Sequence, residues 1–242
     1  MNHLKDRAVL ITGGGSGIGL AAARLFLQQG ARVAITGRDP AKLRRAADTL
    51  GGNVLLQAAD VADPAQVQAL ADKVLGAFGA VDIRVNNAGL NIKDRAFRQL
   101  TPERWQNLLR ANLDGAFYCV QAVLPRMRER KQGLIINVNS ISGRRATPLG
   151  GAAYVASKFG MRGLAMCLAA EEKEHGVRVC SIYPGEVNTP ILDERPQPIS
   201  DDHRQQILQP EDVAAAILFV AGLPPHVAVP ELVITPTHYA FV

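Results

Sequence analysis

Short apolar runs alternate along this chain with longer stretches whose apolar positions recur at helical spacing. The runs at 7–12, 32–36, 53–57, 81–85, 133–138, 177–182 and 231–234 predict strands. Between the first two, 17–29 predicts a helix with Ile18, Ala21, Ala22, Leu25 and Phe26 on one face. Helices are also predicted over 40–50 and 64–78, each opening on a proline and closing at a glycine. A long helical stretch covers 102–129, with Pro125 near its end, and further helices cover 152–174 and 210–221. The segment 189–209 reads as irregular or loosely helical.

The runs at 134–138 and 177–182 are apolar with little alternation. Strands covered by helices on both faces read this way, and such strands belong to parallel sheets. No linker, internal repeat or low-complexity tract divides the chain. Right-handed crossovers then give an α/β fold, a doubly wound parallel sheet of about seven strands in a single domain over 1–242.

Composition narrows the class. A length of 242 residues suits one such unit, and 48% hydrophobic with 20% charged residues excludes a disordered chain. No apolar run reaches the length of a membrane span, so no membrane partner is expected. The polar start, 1–7, leads straight into a strand, which excludes a usual secretory signal. Lys plus Arg is 27 against 22 for Asp plus Glu, a net +5, yet no long block of like charge exists. A mildly basic soluble surface follows, with no nucleic-acid partner. Cys119, Cys167 and Cys180 are far apart and set among apolar residues. They read as small buried hydrophobes in a reducing, cytoplasmic compartment, with no disulfide frame and no metal site.

Thr12-Gly13-Gly14-Gly15-Ser16-Gly17-Ile18-Gly19 joins the first strand to the first helix. Glycines there permit a tight turn and close approach of a pyrophosphate, and the helix N-terminus offers free N–H groups to it. Three residues separate Gly13 from Gly17. Further marks follow in order: Asp60-Val61, Asn86-Asn87-Ala88-Gly89, Asn112, Ser140, the Tyr154/Lys158 pair, and Pro184-Gly185 with Thr189. The ordered set resembles the short-chain dehydrogenase/reductase family, in its compact branch, over about residues 12 to 189.

The resemblance implies a Rossmann-like fold and a role for each position. Gly13, Ser16, Gly17, Ile18 and Gly19 would cradle the dinucleotide phosphates, and Asp60 and Val61 would contact the adenine. Asn87, Ala88 and Gly89 would line the cleft, Pro184 and Gly185 would contact the cofactor, and Val187 and Thr189 would hold the nicotinamide carboxamide. Asn112 would hold a water that links Lys158 to solvent. Ser140 would polarise the substrate carbonyl, with Ser142 close enough in sequence to compete.

Tyr154 and Lys158, four residues apart on a helix, share a face. An ammonium and an oxidised nicotinamide beside a phenol should lower its pKa from about 10, making it a usable acid or base. Gly37 stands where NAD-preferring relatives carry Asp, and Arg38 could meet a 2′-phosphate, so NADP is expected, with NAD possible. Asp39 would either repel that phosphate or cap the next helix.

The expected activity is NADP(H)-dependent hydride transfer between nicotinamide and a small carbonyl or secondary alcohol. An NAD-dependent dehydrogenase or a 3-oxoacyl reductase is the alternative within the family, and a silent dinucleotide sensor the alternative outside it. The full Asn112, Ser140, Tyr154, Lys158 set argues against a sensor, which has no use for a proton relay. Other positions stay open. Arg84 interrupts a strand, with Asp82 at i−2 as its expected partner. Glu186 reaches either substrate or solvent, and Arg144 or Arg145 either binds an acidic substrate or is solvated. The substrate side, about 186–209, is polar and promises little apolar wall. Small and apolar residues over 111–127 and 154–170 suit a homodimer or homotetramer seam, or internal packing.

Overall fold

The strands are β1 (Ala8–Thr12), β2 (Arg32–Gly37), β3 (Leu55–Ala58), β4 (Ile83–Asn86), β5 (Gly133–Val138), β6 (Val177–Pro184) and β7 (Glu231–Ile234). In the computed structural model, which describes residues 3–51 and 53–239, they form one parallel sheet in the order β3-β2-β1-β4-β5-β6-β7. The helices are α1 (Gly17–Gln28), α2 (Pro40–Thr49), α3 (Pro64–Phe78), α4 (Pro102–Leu109), α5 (Gly115–Glu129), α6 (Ala152–Glu172), α7 (Asp201–Gln206) and α8 (Pro210–Gly222). Every residue of β1, β4 and β5 is buried, because helices cover both faces. Alternate side chains divide between two cores. Val9, Ile11, Val85 and Ile136 join α1 and α8 on one face. Leu10, Ala34 and Ile135 join α3, α5 and α6 on the other.

Caps set the helix starts that the sequence predicts. Asp39 accepts from the N–H of Ala41 at 2.8 Å and of Lys42 at 3.0 Å, and Asp63 does the same for Ala65 at 2.9 Å and Gln66 at 3.2 Å. Each such cap contributes about 1 kcal/mol. At α1 the Ser16 side chain makes no cap bond and the first turn carries no acid, so the positive end of that helix opens onto the strand ends.

Three expectations need correction. The stretch 102–129 is not one helix: a π-helical turn, Arg110–Asp114, separates α4 from α5. Asp82 does not pair with Arg84. It precedes β4, so strand alternation does not apply, and it accepts from Ala8 N at 2.8 Å, Arg130 at 2.8 Å and Arg7 at 3.4 Å. Arg84 is fully buried and donates to the Leu10 carbonyl at 3.1 Å, with Cys119 beside it. Cys119 and Cys180 are buried as expected, but Cys167 is exposed, since the apolar residues around it in sequence include the outer face of α6. The segment 189–209 is loosely helical as expected, with a short 3-10 turn, Pro190–Glu194, and α7.

Candidate active site

The carboxyl ends of β1 and β4 are adjacent strands whose chains continue in opposite directions across the sheet, the usual place for a ligand crevice. Thr12 closes β1 and joins the two loops there. Its hydroxyl oxygen accepts from Asn87 N at 3.0 Å and Ala88 N at 3.1 Å. Asn87 in turn donates through Nδ2 to the Thr12 carbonyl at 3.0 Å. Gly13 at φ +65° and Gly17 at φ +51° take the left-handed backbone that the turn requires. Gly19 meets a different demand, because a Cβ there would lie 2.4 Å from the Gly13 oxygen.

A cleft of about 600 Å³ opens beside this loop. Gly13, Ser16, Gly17 and Ile18 line it, as do Asn87, Ala88 and Gly89 from the β4 side. Pro184, Gly185, Val187 and Thr189 line it after β6, and Ser140, Tyr154 and Lys158 stand within it. Five expected residues are placed outside the lining. Gly19 packs behind the loop. Arg38 is exposed on the turn after β2. Asp60 accepts from Ala62 N at 3.0 Å, and Val61 packs so closely on Gly115 that a Cβ there would sit 2.7 Å from it. Asn112 is buried behind the cleft.

The glycine loop, the uncapped α1 N-terminus and the cleft beside them fit a nicotinamide dinucleotide: N–H groups and a helix dipole for the phosphates, and about 600 Å³ of space for the rest.

Tyr154 and Lys158 stand one turn apart on α6. Lys158 donates from Nζ to the Val138 carbonyl at 3.0 Å and lies 5.6 Å from the Tyr154 ring centroid. Burial lowers its pKa from 10.5 to about 8. The expected lowering of the Tyr154 pKa by the protein's own groups is not found. Burial raises it, while the Ser140 hydroxyl within hydrogen-bonding reach and the Arg95 charge oppose the rise. The physical reason is that the Lys158 ammonium points past the ring to a carbonyl, while the phenol gives up its water.

Ser140 follows β5 by two residues and accepts from Ser142 N at 3.1 Å, capping a 3-10 turn. Of the two serines it is Ser140 that reaches Tyr154. Asn112 sits in the π-helical turn, a common device for presenting a functional side chain. It accepts from Leu90 N at 2.8 Å and donates to Leu90 O at 2.9 Å and to Ser157 Oγ at 3.2 Å. A Cβ on Gly89 would lie 3.3 Å from Asn112 Oδ1 and 3.8 Å from Lys158 Nζ, so glycine leaves a gap between them.

After β6, Glu186 lines the cleft and does not face solvent. Arg195 and His203 from the 186–209 segment meet it, His203 at 3.0 Å, and the Tyr239 hydroxyl donates to it. Arg145 lines the cleft, while Arg144 pairs with Glu231 at 2.5 Å and stacks over Tyr183. The wall is more apolar than the polar segment suggests, because Leu149, Ile191, Leu192 and Tyr239 contribute to it. Sequence reading missed Lys42, Arg95, Leu149 and Tyr239. Lys42 carried a signal, since it follows the β2 turn by one helical step; the others lie in irregular segments with no periodicity to place their side chains.

Among the described residues no helix is long and apolar enough to cross a membrane, and no group of three or more His, Cys, Asp or Glu is placed to hold a metal.

The comparisons with known proteins agree with this geometry. A family model described as short chain dehydrogenase matches residues 7–199. An uncharacterised oxidoreductase from Staphylococcus saprophyticus is 35% identical over 240 residues, 98% of this chain and all of that protein. Among solved structures, the alcohol dehydrogenase from the archaeon Thermococcus sibiricus complexed with 5-hydroxy-NADP is 28% identical with TM-score 0.86, covering 97% of this chain and 98% of that one. The 3-ketoacyl-(acyl-carrier-protein) reductase from Brucella melitensis complexed with NADH is 30% identical with TM-score 0.87, covering 97% and 98%. Glycine loop, sheet order and matched length converge, and the chain belongs to the short-chain dehydrogenase family as an NAD(P)-dependent oxidoreductase.

Proposed function

We propose that the protein transfers a hydride between NADP(H) and a small carbonyl or secondary alcohol, with Tyr154 as the proton donor in reduction and acceptor in oxidation. The observation that carries this reading is the meeting of Ser140, Tyr154 and Lys158 in the glycine-loop cleft. When bound, the dinucleotide supplies the hydride; the chain supplies position and the proton. Gly13, Ser16, Gly17 and Ile18 would hold its phosphates, with Gly19 keeping the loop tight. Asp60 and Val61 would border the adenine. Asn87, Ala88 and Gly89 would flank the ribose, and Pro184, Gly185, Val187 and Thr189 would orient the nicotinamide.

Ser140 Oγ donates a hydrogen bond to the substrate oxygen and so favours charge developing there. The Tyr154 hydroxyl hands its proton to that oxygen. Lys158, 5.6 Å from the ring centroid, would carry the replacement proton toward the phenolate that remains. The gap left by Gly89 suits a water between Asn112 and Lys158, through which the proton is replaced from solvent. NADP is favoured by Gly37, Arg38 and Lys42, and by the commitment of Asp39 to the α2 cap. The segment 186–209 forms the substrate side, and the protein assembles as a homo-oligomer.

The test is oxidation of NADPH with a panel of small ketones and aldehydes, in wild type and Tyr154→Phe. Turnover in the variant is expected to fall at least about 10²–10⁴-fold, the usual weight of a positioned proton donor. A variant within tenfold of wild type would remove Tyr154 from the chemistry. Wild type that binds cofactor but transfers no hydride with NADPH or NADH would turn the reading to a dinucleotide sensor.

A further inference from the structure

Arg95 stands on the loop after β4 and is 7% exposed. Its Nε donates to the Ile92 carbonyl at 2.6 Å, one terminal nitrogen donates to Leu149 O at 3.0 Å, and the other donates to Glu194 O. The guanidinium therefore ties together the loop after β4, the loop before α6 and the substrate-side segment. Gly151, at φ +78°, makes room for it, since a Cβ there would lie 2.7 Å from Arg95 Cβ.

All three partners are neutral carbonyls. Among the described residues no carboxylate lies within ion-pair distance of Arg95, whereas its neighbours Arg195 and Arg204 have theirs in Glu186 and Asp193. Glu194 lends negative charge without forming an ion pair and Arg195 opposes it, so burial still leaves this cation costly. A guanidinium has five N–H groups, and three are accounted for, so two remain. Arg95 lines the cleft, and its charge is felt at Tyr154, the residue that meets the reacting oxygen. Arg145 lines the same cleft. The walls beside them are apolar: Leu149, Ile191 and Leu192.

We propose that Arg95 is a specificity residue that anchors a carboxylate on the substrate, so that the substrates are short oxo acids and the corresponding hydroxy acids. This rests on the oxidoreductase reading given above. Two N–H groups match the two oxygens of a carboxylate. Glu186 and Glu194 line the same region and disfavour a doubly charged phosphate. The chemistry stays balanced: hydride reaches the ketone carbon, the Tyr154 proton reaches its oxygen, and the carboxylate is unchanged.

The experiment compares straight-chain oxo acids, with the ketone two, three or four carbons from the carboxylate, each beside its methyl ester. kcat/KM is measured for wild type, Arg95→Lys and Arg95→Met. Wild type is expected to prefer the acid at least tenfold at one spacing or more. That acid-to-ester ratio is expected to fall at least tenfold in Arg95→Met and to be partly kept in Arg95→Lys. A purely structural role would lower acid and ester together and leave the ratio in place. Esters reduced as well as acids at every spacing, or a ratio that survives Arg95→Met, overturns the proposal. Calorimetric titration of the acids into NADP⁺-loaded protein separates the two readings. Acid binding that is lost in Arg95→Met, in a protein that reduces nothing, sustains the anion site and overturns the oxidoreductase reading. Should Arg95→Met fail to fold, the wild-type ratio and the wild-type titration decide, and absence of both preference and binding overturns the site.

Discussion

The ammonium of Lys158 donates to the Val138 carbonyl at 3.0 Å and is shut away from bulk water. Burial brings its pKa from 10.5 to about 8, which places it where a proton relay can use it near neutral pH. The same shift bears on stability. The folded value lies below the unfolded one, so between about pH 8 and 10.5 the unfolded chain holds more protons. Stability from this group therefore rises with pH across that window, and below it the full penalty stands, about 3 kcal/mol. Lys158→Met removes both the penalty and the hydrogen bond to Val138, the latter contributing about 1 kcal/mol. Urea unfolding of the protein without cofactor should show the variant about 1–3 kcal/mol more stable at pH 7, with the difference shrinking toward pH 10. A variant less stable at pH 7, by an amount that does not change with pH, would mean that packing and not desolvation governs the site.

The turn from β2 into α2 shows how an element settles a question left open by its sequence. Asp39 spends its carboxylate on the N–H groups of Ala41 and Lys42, and its pKa is lowered, most by the Lys42 bond. The acid is thus turned toward the helix, while Lys42 one step on lines the cleft and Arg38 stands exposed beside it. Thermal unfolding with saturating NADPH should accordingly lie above that with NADH. A tenfold difference in Kd corresponds to about 1.4 kcal/mol, or about 3–5 °C at this size. Arg38→Ala should narrow the gap, and a larger shift with NADH in wild type would instead give the turn to NAD. Elements of this kind are legible because caps and glycines are local: Asp39-Pro40, Asp63-Pro64 and the loop from Gly13 to Gly19 each announce a helix start. The π-helical turn is not, since 102–129 keeps helical spacing throughout, and the bonds of Asn112 within that turn reach Leu90 and Ser157, far away in sequence. Arg95 is invisible for a related reason: two of its partners, Leu149 and Glu194, are far away in sequence.

At the scale of the molecule, the sheet gathers groups from β1, β4, β5, β6 and α6 at one edge, and that convergence follows from strand order, which alternation of runs and helices already implies. What the pattern leaves undecided is the outer surface. On α6, Phe159 is 41% exposed and Met166 60%, with Gly163 between them on the same face and open space above it. Phe117 of α5 is exposed as well. Residues of this type, on two helices that pack against each other, form a surface that water disfavours and a second copy can cover. The same α6 carries Tyr154 and Lys158 on its inner side, so covering its outer face would also steady the proposed catalytic pair. Sedimentation of wild type at micromolar concentration should therefore show an oligomer. Met166→Glu places a charge in the seam and should shift the population toward monomer, lower the unfolding midpoint and make it depend on protein concentration. Wild type that sediments as a monomer at every concentration, or an oligomer that Met166→Glu leaves intact, would assign these side chains to the solvent-exposed surface and place any assembly elsewhere on the molecule.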